Sequence, residues 1–157
     1  MALFSSTVNA QQAAQYSLFN FNIHNFNPAY AGLDNSVSAT GVFRRQWSGL
    51  EGAPLTQSVN VHSPVRFLRS GFGLKLENDA LGAEKNITAE VSYAYQTQIS
   101  KGNWISVGLS GGILQKSIDG TILRPPNLDE PDDLIPQGLV TAITPTANVG
   151  VFFKNDL

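Results

Sequence analysis

No cysteine occurs among the 157 residues. A disulfide frame, a thiolate metal site and a cysteine nucleophile are therefore excluded. Charge is scarce as well: Asp, Glu, Lys and Arg make up 14% of the chain, against about 25% in ordinary soluble domains. The net charge is −2 at pH 7, which offers no electrostatic reason to expect a nucleic-acid partner. No window approaches the ~20 consecutive apolar residues of a spanning helix, so a membrane reading has to use strands. There are two histidines, His24 and His62, far apart and without the carboxylate pattern that a metal site needs. No Ser/His/Asp arrangement has a recognisable nucleophile context. The glycine pairs Gly49/Gly52 and Gly71/Gly73 are not followed by a helix that would turn them into a phosphate site. The expectation is a single domain with no catalytic residue, no metal and no cofactor.

What the chain does have is alternation. Hydrophobic residues reach 42%, with nine Phe, four Tyr and two Trp, and they recur with period two in six segments, as strands require. The first places Val37, Ala39, Gly41, Phe43, Arg45 and Trp47 on one face. In the second, Leu55, Val59 and Val61 oppose Thr56, Ser58, Asn60 and His62. The third sets Phe72, Leu74 and Leu76 against Gly71, Gly73, Lys75 and Glu77. The fourth runs from Ile87 to Ile99, with Val91, Tyr93 and Tyr95 opposite Glu90, Ser92 and Gln96. The fifth covers 105–114 and the sixth 147–153. Loops are expected at 48–54, 63–69, 78–85 and 119–145, and a tight hairpin at Lys101-Gly102-Asn103.

An alternating sheet is either a membrane barrel or a soluble sandwich or lipocalin-like barrel. Three features favour the membrane. The polar faces carry Ser, Thr, Asn, Gln and Gly with few charges, which suits a crowded lumen, where small residues relieve crowding and curvature. The runs match the ~9–11 residues of a tilted membrane strand. Aromatics stand near strand ends, at Phe43, Trp47, Tyr93, Tyr95 and Trp104, where interfacial girdles form. Six strands would leave two open edges, so an incomplete antiparallel up-and-down barrel is expected. Arg45 should then lie at headgroup level beside Trp47, and Arg44 in the lumen near Glu77 or Glu90. The cluster Leu128, Asp129, Glu130, Asp132, Asp133 and Leu134 lacks EF-hand spacing and reads as an external loop, the best candidate surface for protein contact.

Ahead of the strands, residues 1–10 read as the remnant of an export signal, with Val8-Asn9-Ala10 like a cleavage site. Residues 11–36 read as an N-terminal arm in the periplasm, extended or in short turns, and 37–157 as the barrel. The arm contains Asn27-Pro28-Ala29-Tyr30-Ala31-Gly32, and Arg44-Arg45-Gln46-Trp47-Ser48-Gly49 and Gly52-Ala53-Pro54 follow it. With Gln15-Tyr16, Gly71-Phe72-Gly73-Leu74, Asn78-Asp79 with Gly82, and Tyr93-Ala94-Tyr95, their order and spacing resemble the N-terminal part of PorP/SprF proteins. These are outer-membrane barrels of Bacteroidota associated with type IX secretion and gliding motility. The resemblance covers roughly residues 11–157 and marks Asn27, Pro28, Ala29, Tyr30, Gly32, Arg45, Gln46, Trp47 and Pro54 as its motif positions. It implies a barrel about twice as long, of which this chain is the N-terminal half, and a non-enzymatic role. It also implies export or surface attachment of secreted adhesins through their C-terminal domains, with periplasmic partners in the secretion and motility apparatus. A porin-like solute channel and a soluble binding protein are the alternatives.

Overall fold

A computed structural model describes residues 21–47, 49–50, 52–123 and 138–155. The signal remnant, the first part of the arm (11–20) and the acidic cluster from Leu128 to Leu134 lie outside the described residues. Two 3₁₀ turns, Ile23–Asn25 and Pro28–Tyr30, precede six strands: β1 (Ser38–Arg45), β2 (Leu55–Val65), β3 (Ser70–Leu81), β4 (Glu84–Ser100), β5 (Asn103–Asp119) and β6 (Leu139–Asn155). The strands form one antiparallel sheet in chain order. This is the all-β up-and-down arrangement expected from the alternation. Among the described residues β1 and β6 each have one neighbour, so the sheet is not closed. No described helix is long and apolar enough to cross a membrane.

The strands outrun the alternating segments, for local reasons. β6 begins at Leu139, inside the stretch to Pro145 that reads as loop. Pro145 lies opposite Ile113 on the outermost strand, where one missing amide is tolerated. Pro64, paired with Gly71, lies in β2 beyond the last β1 pair, Ser38 with His62, and so also at an edge. The expected loop at 78–85 shrinks to the turn Gly82-Ala83, since Ala80 pairs with Lys85 and Leu81 with Glu84. Asn78 and Asp79 carry a turn signature, but cross-strand bonds hold them in β3. Asn78 Nδ2 donates to Gln57 (3.1 Å) and Thr56 Oγ1 donates to Asp79 (2.6 Å). The hairpin at Lys101-Gly102 falls where expected, with Gly102 at φ 78°.

The two faces of the sheet are inverted relative to a soluble protein. The outward residues are apolar and exposed, among them Val91, Leu109 and Val149 at 63%, 58% and 82%. The inward residues are polar and buried, as with Asn60 at 1% and Ser106 at 0%. The fully enclosed hydrophobic residues among those described are only Ala29, Ala31, Leu33 and Ala94. A soluble monomer rarely leaves so continuous an apolar surface in water, whereas a lipid-facing wall requires it. A cross-strand polar pair lines the inside, Ser110 with Asn148 (3.1 Å). β4, β5 and β6 have 17 residues each, about 55 Å at 3.3 Å per residue, so they extend beyond a ~30 Å hydrocarbon layer even when tilted.

Candidate functional site

The site is the polar face with residues 21–36 folded back onto it. Its floor follows from the strand register. Gly71, Ala94, Gly108 and Gly150 are successive partners across β3, β4, β5 and β6. They make a groove of the smallest side chains, perpendicular to the strands, and Asn27–Gly32 lies in it. A Cβ on Gly150 would strike the Asn27 side chain. One on Gly108 would strike the backbone of Pro28 and Ala29, and one on Gly71 the backbone of Ala31 and Gly32. The knot therefore runs from β6 towards β2. Gly32, at φ 76°, is pressed against Pro64 and Gly71 and ends it.

Polar side chains on either side of the groove satisfy the backbone it encloses, as burial demands. Ser106 Oγ donates to Ala29 O (2.6 Å) and Gln96 Nε2 to Ala31 O (2.8 Å). Gly32 N donates to His62 Nδ1 (3.2 Å). Lys75 Nζ reaches Asn25 O and Lys154 Nζ reaches Leu33 O, both at 3.4 Å. Asn60 Nδ2 donates to Asn22 Oδ1 (3.0 Å) and Thr40 Oγ1 to Phe21 O (3.5 Å). All six strands thus bond the arm. Asn27 is the pivot: its Oδ1 caps the second 3₁₀ turn by accepting from Ala29 N (3.0 Å), while its Nδ2 donates to Val151 O (2.9 Å). Such a cap is worth about 1 kcal/mol.

Residues 27, 28, 29, 30 and 32 of the sequence motif share this knot. Arg45, Gln46, Trp47 and Pro54 sit at the other end of β1, where Gln46 N donates to Pro54 O (3.0 Å). Arg45 is on the outward face with the exposed Phe43 and Trp47, and Arg44 points inward. The inward charges include Glu90, which faces Lys75 across the β3–β4 pair (3.9 Å) and accepts from Thr146 (3.0 Å) and Asn148 (3.2 Å). Among the described residues no three His, Cys, Asp or Glu side chains cluster as metal ligands.

Two rings brace the knot. Tyr30 packs edge-on against Phe152 (5.1 Å) and His62 (5.8 Å), and its hydroxyl donates to Asp34 Oδ1 (2.7 Å). Burial, followed by Asp34, raises the Tyr30 hydroxyl to about 12, so it remains a neutral donor. His24 Nε2 meets Ser92 Oγ at 2.7 Å, and its ring lies 5.0 Å from that of His62. Burial, then the His62 and Lys75 charges, lower His24 to about 4 from 6.5. The docked arm therefore binds a proton less readily than a released one. Docking is fully stable above pH 6.5, weakens as pH falls towards 4, and changes no further below that. On the order of 3 kcal/mol is lost across this window. Protease cleavage of the arm should accelerate between pH 7 and pH 4.5, and His24→Gln should flatten that dependence. An unchanged profile in the variant would assign the acid response to another group.

Residues 8–157 match the family model described as type IX secretion system membrane protein PorP/SprF. The chain belongs to the PorP/SprF family. No curated protein and no solved structure matches it. As a PorP/SprF protein it is a membrane component of the type IX secretion system, in keeping with the inverted sheet. Residue-by-residue reading does not find the groove. Its signal is small residues at inward positions of successive strands, and they align only once the register is known.

Proposed function

We propose that this PorP/SprF protein acts in the outer membrane as a non-catalytic anchoring component of type IX secretion. In this reading it supports export or surface attachment of secreted adhesins by docking their C-terminal domains. The observation that carries it is the inverted sheet occupied by its own arm. An apolar exterior matches lipid, and an interior filled by a knot bonded to every strand is built to hold its shape. The same occupancy argues against a freely conducting porin, and the exposed apolar wall argues against a soluble binding protein. The arm joins β1 at the end of the sheet with the turns at 66–69 and 101–102. In this reading that end faces periplasmic partners, and the β5–β6 connection with its acidic cluster faces outward to the cargo.

The test pairs deletion with capture. Removing the gene should strip adhesin from the cell surface while its synthesis continues, and tagged protein in mild detergent should retain the cargo's C-terminal domain. Normal surface adhesin in the deletion strain, together with no retained cargo, would refute the reading.

A further inference from the structure

A cavity of about 190 Å³ lies between the arm and the inward side chains of β1 and β2. One buried water needs only about 10–15 Å³, so the space exceeds that of a bridging solvent molecule. Asn22, His24 and Asn60 line it and are 3%, 6% and 1% exposed. Each keeps one polar atom without a hydrogen-bond partner among the described residues: Asn22 Nδ2, His24 Nδ1 and Asn60 Oδ1. Buried polar atoms are rarely left so. Asn60 Nδ2 spends both its hydrogens, on Asn22 Oδ1 (3.0 Å) and Ser58 Oγ (3.2 Å). The reciprocal bond, from Asn22 Nδ2 back to Asn60 Oδ1, is not made. A donor and an acceptor are thus left open on two neighbouring carboxamides. The His24 ring is fixed through Nε2 on Ser92 (2.7 Å), in space that Gly73 provides, and this leaves Nδ1 open. His62 and Asp34 also line the cavity but are engaged. His62 Nδ1 accepts from Gly32 N, and Asp34 accepts from Tyr30 and from Ser38 (2.9 Å) and faces His62 Nε2 (3.6 Å).

The open atoms belong to two carboxamides and to a histidine that burial keeps neutral at pH 7. They recognise hydrogen-bonding groups rather than charge. A hydroxyl donates and accepts through one oxygen. One hydroxyl can therefore accept from Asn22 Nδ2 and donate to Asn60 Oδ1, and a second can meet His24 Nδ1 in either tautomer. A single carboxamide would use both its groups on the asparagines and leave His24 open. Phe21 also lines the cavity, is 77% exposed, and offers an apolar ring face to the C–H face of a saccharide. We propose that this cavity binds a neutral sugar unit, its hydroxyls bridging Asn22, Asn60 and His24 and its ring lying against Phe21. Phe21, Asn22 and His24 belong to the arm and Asn60 to β2, so a bound sugar ties the arm to the wall and stabilises docking by mass action. The proposal goes beyond the secretion role and does not depend on it.

The full protein in zwitterionic nanodiscs, free of sugar-based detergent, is mixed in turn with D-glucose, D-galactose, D-mannose, their methyl glycosides and propionamide. Saturation-transfer NMR reads binding. At least one of the hexoses should receive saturation, and propionamide should not. Asn22→Ala and Phe21→Ala should each weaken binding about tenfold, the loss of one good contact. Phe21 is largely exposed, so its truncation tests the contact without opening a packed core. Saturating sugar should also slow proteolysis of the arm in the unmodified protein. Methyl glycosides that bind as well as the free hexoses would mark a unit of a glycan, and binding of the free hexoses alone would mark a free sugar; both support the site. No transfer to any of these sugars, or equal transfer in both variants, would overturn it. So would binding of propionamide without sugar, which would assign the cavity to an amide-bearing peptide.

Discussion

Gly108→Val is expected to expel the arm from the sheet. The new side chain would be driven into the backbone of Pro28 and Ala29, and neither a strand nor a capped 3₁₀ turn has a rotamer to offer in escape. Overpacking of this kind costs about 3 kcal/mol. Displacement would also release the bonds from Ser106 and Gln96 to the arm carbonyls, so docking fails rather than shifts. Gly71→Val should behave alike, because it too meets backbone, at Ala31 and Gly32. Gly73 and Gly150 face the side chains of His24 and Asn27, which can turn, so alanine there should cost less. Gly111→Val is the control on the same strand, since its nearest neighbour is Thr146 O at 4.0 Å. Limited proteolysis of the arm reads the series. Equal protection of the Gly108 and Gly111 variants would mean that the groove does not hold the knot.

Leu109→Arg should cost roughly 2–4 kcal/mol of stability in a bilayer, as an arginine on the lipid face near mid-depth does. Leu109 is outward, 58% exposed and well inside β5. Were the same face in water, the substitution would stay within about 0.5 kcal/mol, as surface changes do. Phe67→Arg supplies the comparison: Phe67 is 85% exposed on the turn between β2 and β3, near an interface, where the penalty drops to about 0–1 kcal/mol. Urea titration of protein folded into vesicles measures both. A matching small effect at the two positions would contradict the lipid-facing assignment of this wall.

Much of the wall was legible in one dimension, because side chains on a strand alternate and the lipid and lumen faces select opposite chemistries. The second, third and fourth segments show this best: Val59, Leu74 and Val91 face out, while Ser58, Lys75 and Ser92 face in. Reading failed where a local signal was overridden by pairing. Asn78 and Asp79 look like a loop and Pro145 looks like a strand terminator, yet cross-strand bonds and an edge position keep all three in strands. The knot was visible as a motif, but its seat was not. Gly71, Gly108 and Gly150 are far apart in sequence and look like relief of crowding, without any indication of what crowds them.

Composition and period two by themselves determined that this chain is an antiparallel sheet with one apolar and one polar face, because those properties depend on neighbours along the chain. Tertiary structure alone decided that the polar face is occupied by the chain's own arm. Register aligns Gly71, Ala94, Gly108 and Gly150 into a groove, and only across four paired strands does the absence of side chains become a space that a backbone can enter.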